Sequence, residues 1–173
     1  LTLEECHQLV RETALAGKDV ARVHTGDPSL YGALREQIAL LERDGIPWQV
    51  IPGVTAACAA AAAAGVTFTV PEVTQSLMIS RMEGRTPVPE RERLAALAAH
   101  RTSLAVYLSA HSAAGLQAEL ARSLPPETPV LCAHRVGWPD QQLHWTTLDG
   151  LARCVEQHGI TRQTVFLILP GEL

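Results

Sequence analysis

A chain of 173 residues that is 47% hydrophobic and 18% charged can bury a core in one domain or in two small ones, and its composition excludes intrinsic disorder as a class. A net charge of −4 argues against a nucleic-acid sheath, which needs a basic face. The longest apolar run, residues 56–66, falls short of the roughly 20 apolar residues that a membrane span requires. Cys6, Cys58, Cys132 and Cys154 are dispersed, with no C-x-x-C pair and no helical H-x-x-x-H. Neither a metal site nor a redox pair is therefore expected, and reduced thiols in a cytoplasmic protein are.

Residues 2–16 read as a helix, with Thr2 and Glu5 spaced for a capping box and Gly17 as the stop. Val20-Ala21-Arg22-Val23-His24-Thr25 reads as a strand that ends at Gly26-Asp27-Pro28-Ser29-Leu30-Tyr31-Gly32. A helix is expected over 29–44, with Leu30, Leu34, Ile38 and Leu41 on one face and Gly45 at its end. A second strand, Trp48-Gln49-Val50-Ile51, meets the turn Pro52-Gly53-Val54-Thr55 and then the alanine-rich helix 56–64, closed by Gly65. Strand, tight turn and helix thus occur twice. Open α/β sheets place ligands at such turns, outside the carboxyl ends of their strands.

Beyond Pro71 the texture changes, and two α/β domains, 1–72 and 73–173, are expected. The second begins with a strand at 76–80 and a charged loop, Glu83-Gly84-Arg85-Thr86-Pro87-Val88-Pro89, whose prolines and glycine forbid a helix or a strand interior. Helices at 91–100, 112–122 and 148–158 alternate with strands at 103–108, 129–133, 144–147 and 164–169. The segment 141–147 is open to an antiparallel course after the turn Gly137-Trp138-Pro139-Asp140.

Taken alone, Gly-Asp-Pro is explained as a helix start: Gly26 turns, Asp27 caps, and Pro28 takes the first helical position. A carboxylate seated there would compete with a phosphate for the same amides, and neither G-x-x-x-x-G-K-[ST] nor G-x-G-x-x-G occurs. Thr55 is open to a simple capping role as well. The two turns become suggestive only as a pair.

Together, Thr25-Gly26-Asp27-Pro28-Ser29-Leu30-Tyr31-Gly32, Pro52-Gly53-Val54-Thr55-Ala56-Ala57 and Leu104-Ala105-Val106-Tyr107-Leu108 resemble the tetrapyrrole methylase family. Members move a methyl group from S-adenosylmethionine to a ring carbon of a corrin or sirohaem precursor. Ser80-Arg81-Met82-Glu83-Gly84-Arg85-Thr86-Pro87-Val88-Pro89-Glu90 and Trp138-Pro139-Asp140 are similar to the branch that acts at C-11 of precorrin-4 or its cobalt form. The alternatives are the C-20, C-17 or uroporphyrinogen branches, or a ligand-binding fragment without turnover.

The resemblance implies two α/β domains with the cofactor in the cleft between them, in a homodimer. It implies cofactor contacts at Thr25, Gly26, Asp27, Leu30, Thr55, Ala56, Leu108 and Thr146. The family's opening strand and its G-x-G-P-G-D loop are not present in these 173 residues, so the first domain is expected to lack its opening strands. The implied reaction is in-line displacement at the sulfonium methyl, in which holding the reacting atoms about 3–3.5 Å apart supplies up to roughly 7–11 kcal/mol. No nucleophilic side chain is needed, and the base that removes the ring proton is not apparent. The substrate is rich in carboxylates, which makes Arg81 and Arg85 candidate ligands; a solvated loop paired with Glu83 or Glu90 is the alternative. Tyr31 is a further substrate candidate. Tyr107 reads equally as a site hydroxyl or a structural tyrosine, and His24 is retained as a candidate base.

Overall fold

The computed structural model describes residues 1–84 and 86–170. They form two compact units, Leu1–Ala56 and Ala57–Leu173. In the first, α1 (Leu3–Leu15) carries the expected box: Glu5 N donates to Thr2 Oγ1 at 3.2 Å, and Thr2 N donates to Glu5 Oε2 at 2.7 Å. Helix α2 (Leu34–Arg43) joins α1 through Asp44, whose Oδ2 lies 2.8 Å from His7 Nε2 and 3.2 Å from Arg11 Nε. The hydrogen bond from Arg43, and next that from His7, hold the Asp44 carboxyl well below the usual carboxylate range.

Two expectations for this unit need correction. Residues 20–25 and 48–51 are not strands: no described segment ladders with either one, and Val23 and Ile51 are 90% and 75% exposed. Their β-branched, alternating pattern suits a strand, but a strand exists only where a neighbour takes its N–H and C=O groups. Nor does α2 begin at Ser29. Asp27 takes the Ser29 N–H at 2.9 Å in a local turn, and Tyr31 (φ 56°) and Ala33 (φ 49°) are left-handed, which delays the helix to Leu34.

Helix α3 (Ala56–Ala64) starts at the last residue of the first unit, continues as the opening segment of the second, and turns off at left-handed Gly65. The five strands of the second unit are β1 (Leu77–Arg81), β2 (Ser103–Tyr107), β3 (Pro129–His134), β4 (Gln142–Thr147) and β5 (Thr164–Ile168). The sheet order is β1-β2-β5-β3-β4. Only β1 and β2 run parallel; β5 lies antiparallel between β2 and β3, and β3–β4 is an antiparallel pair. All five residues of the central β5 are buried, which accounts for its unbroken Thr-Val-Phe-Leu-Ile run.

Helices α5 (Ala113–Leu120) and α6 (Leu151–Gln157) cover one sheet face, where Leu116, Leu120, Leu148 and Leu151 join Leu104, Val106, Val130, Phe166 and Ile168 in one core. The helix expected at 91–100 is broken. A 3₁₀ turn (Glu90–Glu92) and α4 (Leu94–Ala98) flank extended Arg93. The run Glu-Arg-Glu-Arg offers the core nothing, and the first buried side chain is Leu94. Among the described residues no helix is long and apolar enough to cross a membrane.

Candidate cofactor and substrate site

In the first unit, Asp27 joins the two turns. Its Oδ1 accepts from the Ser29 N–H and hydroxyl, and its Oδ2 accepts from Gly53 N–H at 2.9 Å. The Ser29 hydroxyl chiefly, then the Gly53 and Ser29 amides, hold its pKa below the ordinary value. The carboxylate therefore acts as a clasp across a gap of 26 residues, not as a cap on α2. The backbones meet so closely that a Cβ on Gly53 would lie 2.1 Å from Gly26 O. Gly26 is left-handed (φ 76°), and a Cβ there would lie 3.5–3.7 Å from Val54, Thr55 and Ala56 backbone atoms. Gly26, Asp27, Thr55 and Ala56 are thus brought together, with Thr25 beside them in the chain.

The remainder of the first turn is held from α2. Gln37, buried at 8% exposure, donates from Nε2 to Gly32 O at 2.7 Å. A Cβ on Gly32 would lie 2.3 Å from Pro28 O and 3.3 Å from His24 Nδ1, so His24 packs against this turn. Tyr31 is exposed and lines an open groove of about 640 Å³ along α2, while Leu30 is half-buried. Gln37 was not anticipated. Its signal is a polar residue between Leu34 and Leu41 on the stripe that faces inward.

In the second unit, the carboxyl ends of the parallel strands β1 and β2 place Arg81 opposite Tyr107. Leu108 follows in the left-handed region (φ 54°) with 63% of its surface exposed. A branched residue held there is a backbone outlier of the kind that marks ligand sites. The Tyr107 hydroxyl accepts from Ala57 N–H at 2.7 Å, satisfying one of the open amides in the first turn of α3. Arg81 turns onto its own loop: Nη1 donates to Met82 O at 3.0 Å and Nη2 to Thr86 O at 3.1 Å. Glu83 lies 4.0 Å from Arg93. Arg85 is outside the described residues.

Thr146 is not brought to Leu108. It pairs with Val130 on the far edge strand, three strands across from β2, or roughly 14 Å at the usual strand spacing.

A helical first unit and a mixed five-stranded α/β second unit are the frame of a tetrapyrrole methylase: the chain belongs to the tetrapyrrole (corrin/porphyrin) methylase family, whose model matches residues 1–152. It is 41% identical over 166 residues to the cobalt-precorrin-4 C(11)-methyltransferase of Priestia megaterium, spanning 95% of this chain and 64% of that one. To the precorrin-4 C(11)-methyltransferase of Pseudomonas aeruginosa it is 43% identical over 173 residues, 100% of this chain and 68% of the relative. The chain thus spans about two-thirds of these relatives' length. A solved cobalt precorrin-4 methyltransferase, CbiF, superimposes with a TM-score of 0.92 at 40% identity, covering 97% of this chain and 71% of that one.

Proposed function

We propose that the protein is an S-adenosylmethionine-dependent C-methyltransferase that acts at C-11 of precorrin-4 or cobalt-precorrin-4 in corrin biosynthesis, in the cytoplasm and as a homodimer. The observation that carries the methyltransferase assignment is 41–43% identity, running through 95–100% of the chain, to two enzymes of that name.

Thr25, Gly26, Asp27, Leu30, Thr55, Ala56 and Leu108 are the cofactor residues on this reading, with Thr146 an outlying member. The chemistry of these groups is compatible with the cofactor: turns with closely approached backbone, an ionised carboxylate and an exposed strand-end backbone at Leu108 suit a polar, cationic, phosphate-free ligand. S-adenosylmethionine, when bound, supplies the methyl group. The protein's task is then to hold and orient. Asp27 keeps the two turns in register, Gln37 fixes the Gly32 carbonyl, and the Tyr107 hydroxyl fixes the first turn of α3. The tetrapyrrole carboxylates are assigned to Arg85, with Arg81 shaping the loop and Tyr31 offering a hydroxyl.

Incubation of the protein with S-adenosylmethionine and precorrin-4, followed by mass spectrometry, is expected to show one added CH₂ on the tetrapyrrole. Methylation of uroporphyrinogen III instead would move the protein to another branch, and no product from either would overturn the reading. Arg85→Ala should raise the tetrapyrrole KM about tenfold, the scale of a lost charge-assisted contact, and leave affinity for S-adenosylhomocysteine unchanged. Unaltered KM and turnover would remove the arginine from the site.

A further inference from the structure

Ser109 belongs to no motif in the chain, yet its side chain is spent on two backbone groups at one place in the sheet. It is fully buried. Its Oγ donates to Tyr107 O at 2.6 Å and accepts from Met82 N–H at 2.9 Å. Tyr107 is the last residue of β2, and Met82 is the first residue after β1. One hydroxyl therefore ties the carboxyl ends of the two parallel strands together, beyond the last partners of their register, Arg81 and Tyr107.

Leu108 lies between the two residues joined by the Ser109–Tyr107 bond. Its left-handed backbone is disfavoured for a branched side chain, and with most of its surface exposed it has little packing to hold it there. The bond to Tyr107 O bridges Leu108, and the bond from Met82 N–H fastens that bridge to β1. The Tyr107 hydroxyl adds a third tether, to Ala57. Remove the Ser109 hydroxyl and a part-buried N–H and a part-buried carbonyl lose a partner together, just where the unusual backbone must be maintained.

We propose that Ser109 is a positioning residue for cofactor binding, its hydroxyl holding the Leu108 backbone in the conformation that receives S-adenosylmethionine. The proposal rests on the methyltransferase reading above. Ser103 supplies a matched control at the opposite end of the same strand: it is 1% exposed, and its Oγ donates to Phe68 O at 2.7 Å. A residue that merely stabilises the sheet would behave like Ser103.

The test is calorimetric titration of S-adenosylhomocysteine into the full chain and into Ser109→Ala and Ser103→Ala, with the melting temperature of each. Both variants should melt lower. Only Ser109→Ala should bind more weakly, by about five- to tenfold, the scale of one or two lost hydrogen bonds. Unchanged affinity in folded Ser109→Ala overturns the proposal, as does equal weakening in Ser103→Ala. Should Ser109→Ala not fold, Ser109→Cys, which keeps a weak donor and acceptor, is titrated in its place. Weakened binding there supports the proposal; full affinity, or a second failure to fold, makes Ser109 a structural residue only. If the unaltered chain itself takes up no S-adenosylhomocysteine, the methyltransferase reading falls and this inference with it. Normal binding by the unaltered chain beside full affinity in Ser109→Ala removes this inference alone.

Discussion

Gly53→Ala should weaken S-adenosylhomocysteine binding by about a hundredfold, because the new methyl has nowhere to go. Its Cβ would lie 2.1 Å from Gly26 O, 3.0 Å from Gly26 C and 3.5 Å from the Asp27 Cα. All three are backbone atoms, so no rotamer change relieves the clash and the two turns must part. Over-packing typically costs about 1–3 kcal/mol. A backbone obstacle places this site at the upper end, which corresponds to roughly a hundredfold in affinity. Parting the turns also stretches the Gly53–Asp27 hydrogen bond, now 2.9 Å. Gly84→Ala is the control: its nearest neighbour would be the flexible tip of Arg81 at 4.0 Å, and cofactor affinity should not move. Calorimetry on both variants decides the matter. Gly53→Ala binding like the unaltered chain would mean that the close approach of these turns has nothing to do with the cofactor.

What could be read from the sequence was local. The Thr2–Glu5 box fixes the start of α1 because its partners stand three residues apart, and Gly65 stops α3 by a backbone choice that glycine makes cheaply. In the second unit each strand is an apolar or β-branched run bounded by turn residues, and all five appear within a few residues of expectation. The antiparallel β3–β4 pair was left open by the sequence, and its Gly-Trp-Pro-Asp turn is consistent with it.

What could not be read was mostly long-range. The alternating strands and helices give no hint that β5 returns antiparallel between β2 and β3, since strand order is decided by which buried faces complete the core. Residues 20–25 and 48–51 carry strand composition but find no ladder partner among the described residues. The start of α2 misleads because Leu30 fits the apolar stripe, while the left-handed turn at Tyr31 and Ala33 has no compositional mark. Of the site, the two turns were legible as motifs. The groups that hold them were not: Gln37, Tyr107 and Ser109 act across 5, 50 and 27 residues. Arg81, read as a substrate ligand, is already engaged with Met82 O and Thr86 O, which favours a part in shaping the loop.

Asp27 joins these two scales, since the sequence shows it as a cap and the structure shows it as a clasp. Both carboxylate oxygens are engaged, by Ser29 on one side and Gly53 on the other, so its expected effect on the cofactor runs largely through turn geometry. Asp27→Ala removes every one of these bonds and should weaken S-adenosylhomocysteine binding by about tenfold or more, as charge-assisted hydrogen bonds exceed neutral ones. Asp27→Asn keeps the size and the Ser29 contact but turns a donor toward Gly53 N–H, and should fall between Ala and the native residue. Because folding lowers the Asp27 pKa from 3.8, its clasp is fully present above that ordinary value and is lost only as pH falls through the lower native one. Cofactor affinity should therefore show no Asp27 contribution to its pH dependence between about pH 5 and 8, with an acid limb only below the usual carboxylate range. Measured against pH, the Kd of Asp27→Asn should lack that limb. An acid limb of the same midpoint in Asp27→Asn would assign it to another group, and native affinity in folded Asp27→Ala would take this turn out of the cofactor site.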